Sequence, residues 1–473
     1  MVGSIALFLR IFMEDFWLRF TSFCGLFVFV FSAWLLSTHR RRFNWRIVVG
    51  ALLMQLVLAV AIFGTRTWTF PDEQGHPRFK NGIVFYAVDS FFEKIEHFTD
   101  QGREFVFGTN PPETPAQSRK IADAQDAVTA SENDRKSLLR TFAFGVLPTV
   151  IFFSSLMSVL YYVRLMPLIV SAMGFLMQKT FRTSGSESLA CAANVFVGHT
   201  EAPLVVKPYI ASMTRSEVMA MMVGGFSTIS GGLMAIYAGL NISAGHLLTA
   251  SIISAPAALM VAKIMVPETE ASMTLGGSRL KIESTGENLF DAAVQGAADG
   301  LKLALNIGAM LIAFLALIAM VDFLIAMMGE ICESFMNLFR QVPIDIQWNL
   351  EGIFSRLFSP MAWIMGIEIK DCAEAGKLLG KKITTNEFLA YMDLSQHTTG
   401  RADPSVCLSE RSQVILTYAL SGFANFGAIG IQIGGIGGLA PQRRKDLAQL
   451  GLRAMLGGVI ACCMTACIAG MIL

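Results

Sequence analysis

Long apolar runs separated by short polar links dominate the pattern of this chain. A helix that crosses a lipid bilayer needs about 20 mostly apolar residues. Eight stretches approach or exceed that length: Phe20–Leu36, Ile47–Gly64, Phe142–Val163, Val218–Leu240, His246–Val266, Leu303–Met328, Val414–Leu439 and Ala454–Leu473. The pattern therefore predicts an all-α polytopic membrane protein with eight transmembrane helices.

Two further stretches, Gly185–Tyr209 and about Ala373–Pro404, mix Glu, Asn, Thr, Gly and Pro with apolar residues. Each is flanked by segments predicted on one side of the membrane, so each is expected to enter and return as a re-entrant helical hairpin. Irregular backbone at membrane depth is tolerated only where protein buries it or where it lines a cavity. The two stretches therefore indicate a transport site.

Composition agrees with a membrane protein and argues against nucleic-acid binding. Of 473 residues, 53% are hydrophobic and only 15% charged, whereas soluble domains carry about a quarter charged residues. The 37 basic and 36 acidic residues nearly balance, and no basic face is evident. Cys462-Cys463-x-x-x-Cys467 lacks histidine partners inside an apolar run, so a zinc site is not expected.

Positive charge predicts the orientation of the chain. Arg40, Arg41, Arg42 and Arg46 follow the first run, and a second basic link precedes the last run, at residues 443–445. Because cytoplasmic loops carry excess Lys and Arg, both links are predicted to face the cytoplasm and both termini the outside. The N-terminal segment lacks a small-residue cleavage site and is treated as part of the mature chain.

Two of the later runs share a short sequence similarity, an internal echo of one run in the other. Gly225-Phe226-Ser227-Thr228-Ile229 resembles Gly422-Phe423-Ala424-Asn425-Phe426, and each copy follows one of the polar hairpins. Paired interrupted helices in corresponding halves of a chain point to the central site of a transporter. The echo therefore predicts an inverted repeat.

Polar residues inside these segments are the candidate site. Glu201 and Glu387 each lie in a hairpin, where a carboxylate is costly and by default contacts an ion, a proton or a substrate. Neutral side chains in the same segments suit a polyhydroxylated substrate or a sodium ion: Asn194, Thr200, Thr228 and Asn425. His199 either donates to a substrate or caps the hairpin tip. Asp446 lies in a basic loop and is expected to be a surface ion-pair partner.

Several long motifs resemble one transporter family. They are Asn194-Val-Phe-Val-Gly-His-Thr-Glu-Ala-Pro-Leu204, Asn386-Glu-Phe-Leu-Ala-Tyr391, Gly422-Phe-Ala-Asn425, Ile433-Gly-Gly-Ile436 and Gly300-Leu-x-Leu-Ala-Leu-Asn306. Taken in their order along the chain, these motifs resemble the concentrative nucleoside transporters, and the resemblance runs from about Phe20 to the end of the chain. Asn110–Arg140, which is polar and Ala-rich, interrupts the resemblance.

The resemblance implies a homotrimer in the inner (plasma) membrane whose protomers have eight spans, two re-entrant hairpins and interfacial helices. An inner part of each protomer would move against a trimerisation scaffold to give alternating access. The implied division is 1–108 (N-terminal scaffold spans and an interfacial helix), 109–140 (polar external insertion), 141–180 (scaffold span), 181–270 (first hairpin and transport spans), 271–372 (linker, scaffold span and interfacial helix) and 373–473 (second hairpin and final two spans).

The resemblance also implies a ligand for each site residue. The nucleoside base would meet His199, Thr200 and Glu201, and the ribose hydroxyls would meet Glu387 and Asn425. A sodium ion would be held by four groups: the side chains of Asn194 and Thr228 and the backbone carbonyls of Val197 and Ile229.

Three positions depart from the family pattern. The family usually has Gln where this chain has His199, and commonly Ser where it has Ala428, so base preference and sugar contact are open. Thr228 replaces a Ser of the family and keeps the hydroxyl, so sodium coupling is the leading expectation. Proton coupling stays open, as does a modified nucleoside or other nucleoside-like substrate.

Functions outside secondary transport have less support. Gly376-x-x-x-Gly380-Lys381-Lys382 only superficially resembles a phosphate-binding loop, because its spacing is one residue short and no Ser or Thr follows the lysine. An enzyme or ATP-driven pump is therefore not expected. A channel or sensor is not favoured by paired hairpins, and flux against a gradient would decide.

Overall fold

The computed structural model describes residues 2–63, 67–68, 79–80, scattered positions between 88 and 106, and then 147–275, 287–337, 348–398 and 407–473. The predicted insertion at 109–140 lies outside these residues, as does 399–406 at the end of the second predicted hairpin.

The described part of the chain is almost entirely helical. A two-residue antiparallel pairing joins β1 (Thr67–Trp68) to β2 (Phe79–Lys80). The α-helices are α1 (Val2–Leu35), α2 (Trp45–Phe63), α3 (Leu147–Tyr162), α4 (Leu165–Phe181), α5 (Gly185–Val197), α6 (Ala202–Val205), α7 (Lys207–Ile210), α8 (Arg215–Ser227), α9 (Gly231–Gly239), α10 (Ala244–Met265), α11 (Leu289–Asn337), α12 (Leu350–Ile364), α13 (Cys372–Thr384), α14 (Glu387–Thr398), α15 (Glu410–Leu420), α16 (Phe426–Leu439) and α17 (Arg444–Ile472).

Several of these helices are long and apolar enough to cross a membrane. Among the described residues five segments qualify: Phe16–Leu35, Trp45–Ile62, Arg215–Gly239, Ala244–Met265 and Pro441–Ile472. A sixth is the pair α3 and α4, bent by 75°. The run predicted at 303–328 lies inside α11, which is 49 residues long. The helices support a membrane protein, and the count of eight spans stays a prediction.

Two runs predicted as continuous spans are interrupted. Val218–Leu240 is divided into α8 and α9 at residues 228–230, and Val414–Leu439 into α15 and α16 at residues 421–425. The next helix begins in each case at a capped residue, because Ser230 accepts from the amide of Leu233 and Asn425 accepts from the amide of Ala428. The two sequence echoes therefore mark two helix breaks, although the capping residue differs.

Local sequence explains the two hairpins. The first hairpin (185–210, helices α5 to α7) begins with a capping box in which the amide of Ser184 donates to Glu187 at 2.8 Å. Pro203 and Pro208 lie in the first turns of α6 and α7, where the missing N–H is tolerated. The second hairpin (372–398) consists of α13 and α14. Both are helix–turn–helix units, and their depth in a bilayer stays a prediction.

The two breaks cross at the centre of the core. A Cβ placed on Gly422 would lie 2.6 Å from the carbonyl oxygen of Phe226, so only glycine permits this approach. The thiol of Cys462, on α17, donates to the carbonyls of Ser421 at 3.2 Å and Ser227 at 3.7 Å. Helices α8, α10 and α17 are mostly buried around this crossing, whereas α1 and α2 are mostly exposed.

Candidate functional site

Glu387 is the centre of a buried polar network. It is the first residue of α14 and is 4% exposed. The hydroxyl of Tyr237 donates to one carboxylate oxygen at 3.1 Å, and the amide of Asn425 donates to the other at 3.2 Å. A carboxylate oxygen accepts more than one hydrogen bond, so each retains the capacity to accept from a further donor such as a substrate hydroxyl. The arrangement is suited to reading two neighbouring hydroxyl groups.

Asn425 links this carboxylate to the second helix break. Its side-chain oxygen accepts from the amide of Ala428 at 2.8 Å and so caps α16, while its NH2 group contacts Glu387. Asn386 caps α14 in the same way, accepting from Leu389 at 3.0 Å. Both asparagines are favoured helix caps, and this local role fixes where the polar groups point. Ala428 is buried beside them and brings no polar atom.

A second polar pocket surrounds Gly224, on α8. The amide nitrogen of Asn194 lies 3.2 Å from the position that a Cβ on Gly224 would occupy, and the hydroxyl of Thr228 donates to the Gly224 carbonyl at 3.0 Å. Asn194 and Thr228 are both buried. The side-chain oxygen of Asn194 has no hydrogen-bond partner. A buried acceptor of this kind costs about 1–3 kcal/mol unless a ligand satisfies it.

The same pocket includes the ends of two helices. Val197 is the last residue of α5, and Ile229 lies in the break after α8. Gly198 follows Val197 with φ +85°, and a Cβ there would lie 2.8 Å from that of Ser230. Carbonyls at helix C-termini lack intrahelical partners and carry partial negative charge. Neutral oxygens and two helix C-termini therefore suit a small hard cation such as Na⁺.

His199 connects the hairpin tip to the second break. Its ring contacts that of Phe423 edge to face, with centroids 4.4 Å apart. A Cβ on Gly225 would lie 2.7 Å from the His199 Cβ and 2.8 Å from the amide nitrogen of Gln432. His199 is buried, and neither ring nitrogen has a hydrogen-bond partner. Two unsatisfied nitrogens at a hairpin tip are available to a polar ligand.

Thr200 and Glu201 differ from the other predicted site residues. Both residues are exposed, and Glu201 precedes α6 without capping it through its side chain. Ala202 and Pro203, which follow directly, are buried again. The role of the Glu201 carboxylate at this tip therefore stays a prediction.

The structure thus brings most predicted residues together in two groups. Glu387, Asn425 and Ala428 form one, while Asn194, Val197, Thr228 and Ile229 surround the other. Sequence reasoning missed Tyr237 and Gln432 as site residues, since each is one polar group in an otherwise apolar run. Gln432 donates to the Met222 carbonyl at 3.3 Å, and its side-chain oxygen has no partner. The sequence signal that could have identified them is a polar side chain shortly after each helix break.

Two secondary predictions are also decided by the structure. The stretch from Gly376 to Lys382 is the interior of α13, so it is a helix and not a phosphate-binding loop. Asp446 pairs with Arg443 at 3.0 Å, which confirms it as an ion-pair partner.

Comparison with protein-family models places three segments of the chain. Residues 24–69 match the Na⁺ dependent nucleoside transporter N-terminus, 143–242 match the nucleoside recognition (Gate) model, and 246–470 match the Na⁺ dependent nucleoside transporter C-terminus. Together they include both hairpins and both helix breaks.

Individual proteins agree with these matches. An uncharacterized transporter of Haemophilus influenzae is 37% identical, over 95% of this chain and 97% of its own length. Solute carrier family 28 member 3 of Eptatretus stoutii is 39% identical, and sodium/nucleoside cotransporter 1 of Rattus norvegicus is 36% identical. The match spans 60% and 64% of those two proteins, so the chain covers under two thirds of their length.

Solved structures show the same fold. CNTnw in an inward-facing, substrate-bound state superposes with a TM-score of 0.78 at 35% identity, over 96% of this chain and 98% of that one. A doubly substituted CNTnw in an outward-facing state also gives 0.78, at 34% identity over 96% of this chain and 97% of that one. The family models, a relative of matching length and the shared fold agree, and the chain therefore belongs to the concentrative nucleoside transporter family.

Proposed function

We propose that this protein is a secondary active transporter that imports nucleosides together with sodium ions by alternating access. The observation that carries the proposal is the pairing of two buried polar sites across one helix crossing. One holds a carboxylate aligned by Tyr237 and Asn425, and the other holds the unpartnered oxygen of Asn194. A hydroxylated solute and a hard cation are the ligands that these groups fit.

Glu387 and Asn425 are assigned to the ribose. The carboxylate accepts from two vicinal hydroxyls while the Asn425 amide donates beside it, so a solute that lacks one hydroxyl leaves a buried group unpaired. Each loss costs about 1–3 kcal/mol. The base would approach the tip of the first hairpin, where His199 has two unsatisfied nitrogens and Thr200 and Glu201 are exposed.

Sodium is assigned to Asn194, Thr228 and the carbonyls of Val197 and Ile229. The ion would join the end of α5 to the break after α8, and the tip that meets the base begins one residue later, at Gly198. Ordering by the ion would therefore improve substrate binding, and by linkage the substrate would improve ion binding by the same factor.

The assembly and location follow the family pattern. We assign the protein to the inner (plasma) membrane as a multi-pass homotrimer with both termini external. The large apolar side chains exposed on α1, α2 and α11, such as Phe27, Val57 and Phe323, support contact with lipid or with neighbouring protomers. The domain division 1–108, 109–140, 141–180, 181–270, 271–372 and 373–473 is retained as part of this proposal.

Uptake of radiolabelled uridine into proteoliposomes tests the proposal. An inward sodium gradient at fixed pH should drive uridine above its equilibrium level, and an equal choline gradient should not. The proposal would be overturned if no nucleoside in a panel were accumulated under either a sodium or a proton gradient.

A second candidate is proton coupling, or transport of a modified nucleoside, by the same fold. It is favoured by His199, a titratable group where the family usually has Gln, and by Ala428, which lacks the hydroxyl common at that position. Accumulation under an acid-outside gradient without sodium would select the first form. Competition by base-modified nucleosides but not by uridine would select the second.

A further inference from the structure

Lys382 is a lysine deep within the protein. It lies on α13 of the second hairpin, and only 2% of its surface is exposed. Its ammonium group donates to the carbonyl of Ala419 at 2.7 Å. Among the described residues it forms no direct ion pair, whereas its neighbour Lys381 pairs with Glu351 at 3.0 Å and with Asp393. A buried ammonium is costly unless its surroundings compensate for it, so its position requires an explanation.

The surroundings of this ammonium are the end of a helix. Ala419 is the second-last residue of α15, immediately before the second break. The carbonyl of Ser421 accepts from the thiol of Cys462, and this thiol is itself a neighbour of Lys382. The last carbonyls of a helix carry partial negative charge, which stabilises a nearby cation, and the carboxylate of Glu387 lies near enough to add to this effect. Lys382 therefore supplies a positive charge where α15 ends.

The first repeat has the corresponding geometry without the charge. There Asn194, on α5 of the first hairpin, faces the end of α8 at the first break, and its side-chain oxygen has no partner. In both repeats a hairpin helix places one polar side chain against the last turn of the following broken helix. The first repeat offers an acceptor for a cation, and the second brings a cation of its own.

We propose that the ammonium group of Lys382 is a tethered counterpart of the coupling cation, holding the second hairpin against α15 in every state of the transport cycle. The proposal rests on the assignment of sodium to Asn194 and Thr228. It implies that only the first hairpin depends on an ion, so that one cation site serves each protomer. It also implies that the second hairpin presents Glu387 to the substrate whether or not sodium is bound.

Hydrogen–deuterium exchange on the purified full-length protein tests this without measuring transport. In sodium compared with choline, peptides from 185–210 should exchange more slowly while peptides from 372–398 should not change. Sodium-dependent protection of both hairpins would overturn the proposal. If sodium changed the exchange of neither hairpin, that result would count against the proposed sodium coupling. The role of Lys382 would then be decided by the variants described next.

Lys382→Met removes the charge and keeps an unbranched side chain of similar length. We expect its 372–398 peptides to exchange about tenfold faster, with or without sodium, because the Ala419 carbonyl loses its partner. Lys381→Met is the matched control, since its ion pairs lie nearer the surface, and it should exchange as the wild type does. Unchanged exchange in Lys382→Met would contradict the proposal.

Lys382→Arg covers the case in which Lys382→Met fails to fold. Arginine keeps the positive charge, so exchange at 372–398 should stay within about twofold of the wild type. If Lys382→Met cannot be purified, a chemically neutral Lys382→Gln variant that exchanges like Lys382→Arg would refute the tethered-cation role. Where uridine uptake is measurable, Lys382→Met should raise the KM for uridine about tenfold and leave the sodium concentration for half-maximal uptake unchanged.

Discussion

The two hairpins share a helix–turn–helix architecture and differ in how far their polar groups have hydrogen-bond partners within the protein. In the first hairpin, Asn194 has an unpartnered oxygen, His199 has two unpartnered nitrogens, and Glu201 is exposed. In the second, Glu387 has two donors and Lys382 has an acceptor within the protein. The named polar groups of the first hairpin are therefore open to ligands, while the charged groups Glu387 and Lys382 of the second hairpin are already satisfied by protein partners.

This difference indicates how a pseudo-symmetric transporter separates its tasks. A half with unsatisfied groups gains free energy when a ligand enters, so its order depends on that ligand. A half whose groups are paired keeps one geometry and provides a fixed reference for the substrate. In the proposed site the base and the ribose of a nucleoside would contact both hairpins at once, so coupling would need only one responsive half.

The strongest test of the satisfied half is Glu387→Gln. The amide oxygen could accept from only one of Tyr237 and Asn425 while the NH2 group opposed the other, and the charge that strengthens both hydrogen bonds would be lost. We expect kcat/KM for uridine to fall about 100-fold, the equivalent of one or two charged hydrogen bonds. Initial rates of tracer uptake would measure it. Glu374→Gln, on the same hairpin but paired with Lys377, is the control and should change uptake by less than about twofold.

The strongest test of the responsive half is a pair of variants at Thr228. Thr228→Ala removes a hydroxyl beside Asn194, and the sodium concentration for half-maximal uptake should rise about tenfold while the uptake rate at saturating sodium is largely kept. Thr228→Ser keeps the hydroxyl and should stay near the wild type. Equal sodium dependence in the two variants would show that this oxygen does not bind the ion.

A smaller effect is expected at the hairpin tip. His199→Gln exchanges an imidazole for a carboxamide that donates and accepts from one group, as the family usually has. The ratio of purine to pyrimidine nucleoside uptake should change about three- to tenfold, with little change for sodium. Competition by a panel of nucleosides against labelled uridine would measure the ratio. An unchanged ranking would remove His199 from base recognition.

The smallest effect is expected for Ala428→Ser. The new hydroxyl would lie one turn into α16, close to Asn425, and should strengthen sugar binding about two- to fivefold. The KM values of uridine and 2′-deoxyuridine report it, and the gain should be larger for the ribonucleoside. An equal gain for both would mean that the hydroxyl contacts something other than the sugar 2′ position.

Much of this organisation is readable in the sequence because it depends on local chemistry. Apolar run length predicts the membrane helices, although it predicted the two broken runs as continuous spans. The echo of Gly225–Ile229 in Gly422–Phe426 marks where both breaks lie. Asparagine is a favoured helix cap, and capping by Asn386 and Asn425 also fixes the direction of their polar groups. The pairing of Asn194 with Thr228 in the pocket around Gly224 was expected from the family resemblance rather than from local chemistry.

Other features depend on contacts between distant segments and were missed. Tyr237 reaches Glu387 across 150 residues, and nothing near Tyr237 distinguishes it from an apolar-run tyrosine. Lys382 resembles its neighbour Lys381 in sequence, and only the packing of α13 decides that one is buried and the other paired near the surface. Long-range pairing and side-chain direction are the parts that local patterns do not encode.

The crossing of the two breaks has a mechanical consequence. Gly422 has no room for a side chain, and the thiol of Cys462 contacts the carbonyls of both broken helices, so sliding one break past the other would disrupt these contacts. A shift of one broken helix is therefore opposed by its packing against the other. In the proposed alternating-access cycle, this crossing would favour displacement at the outer boundary of the core, among the surrounding helices, over movement within it.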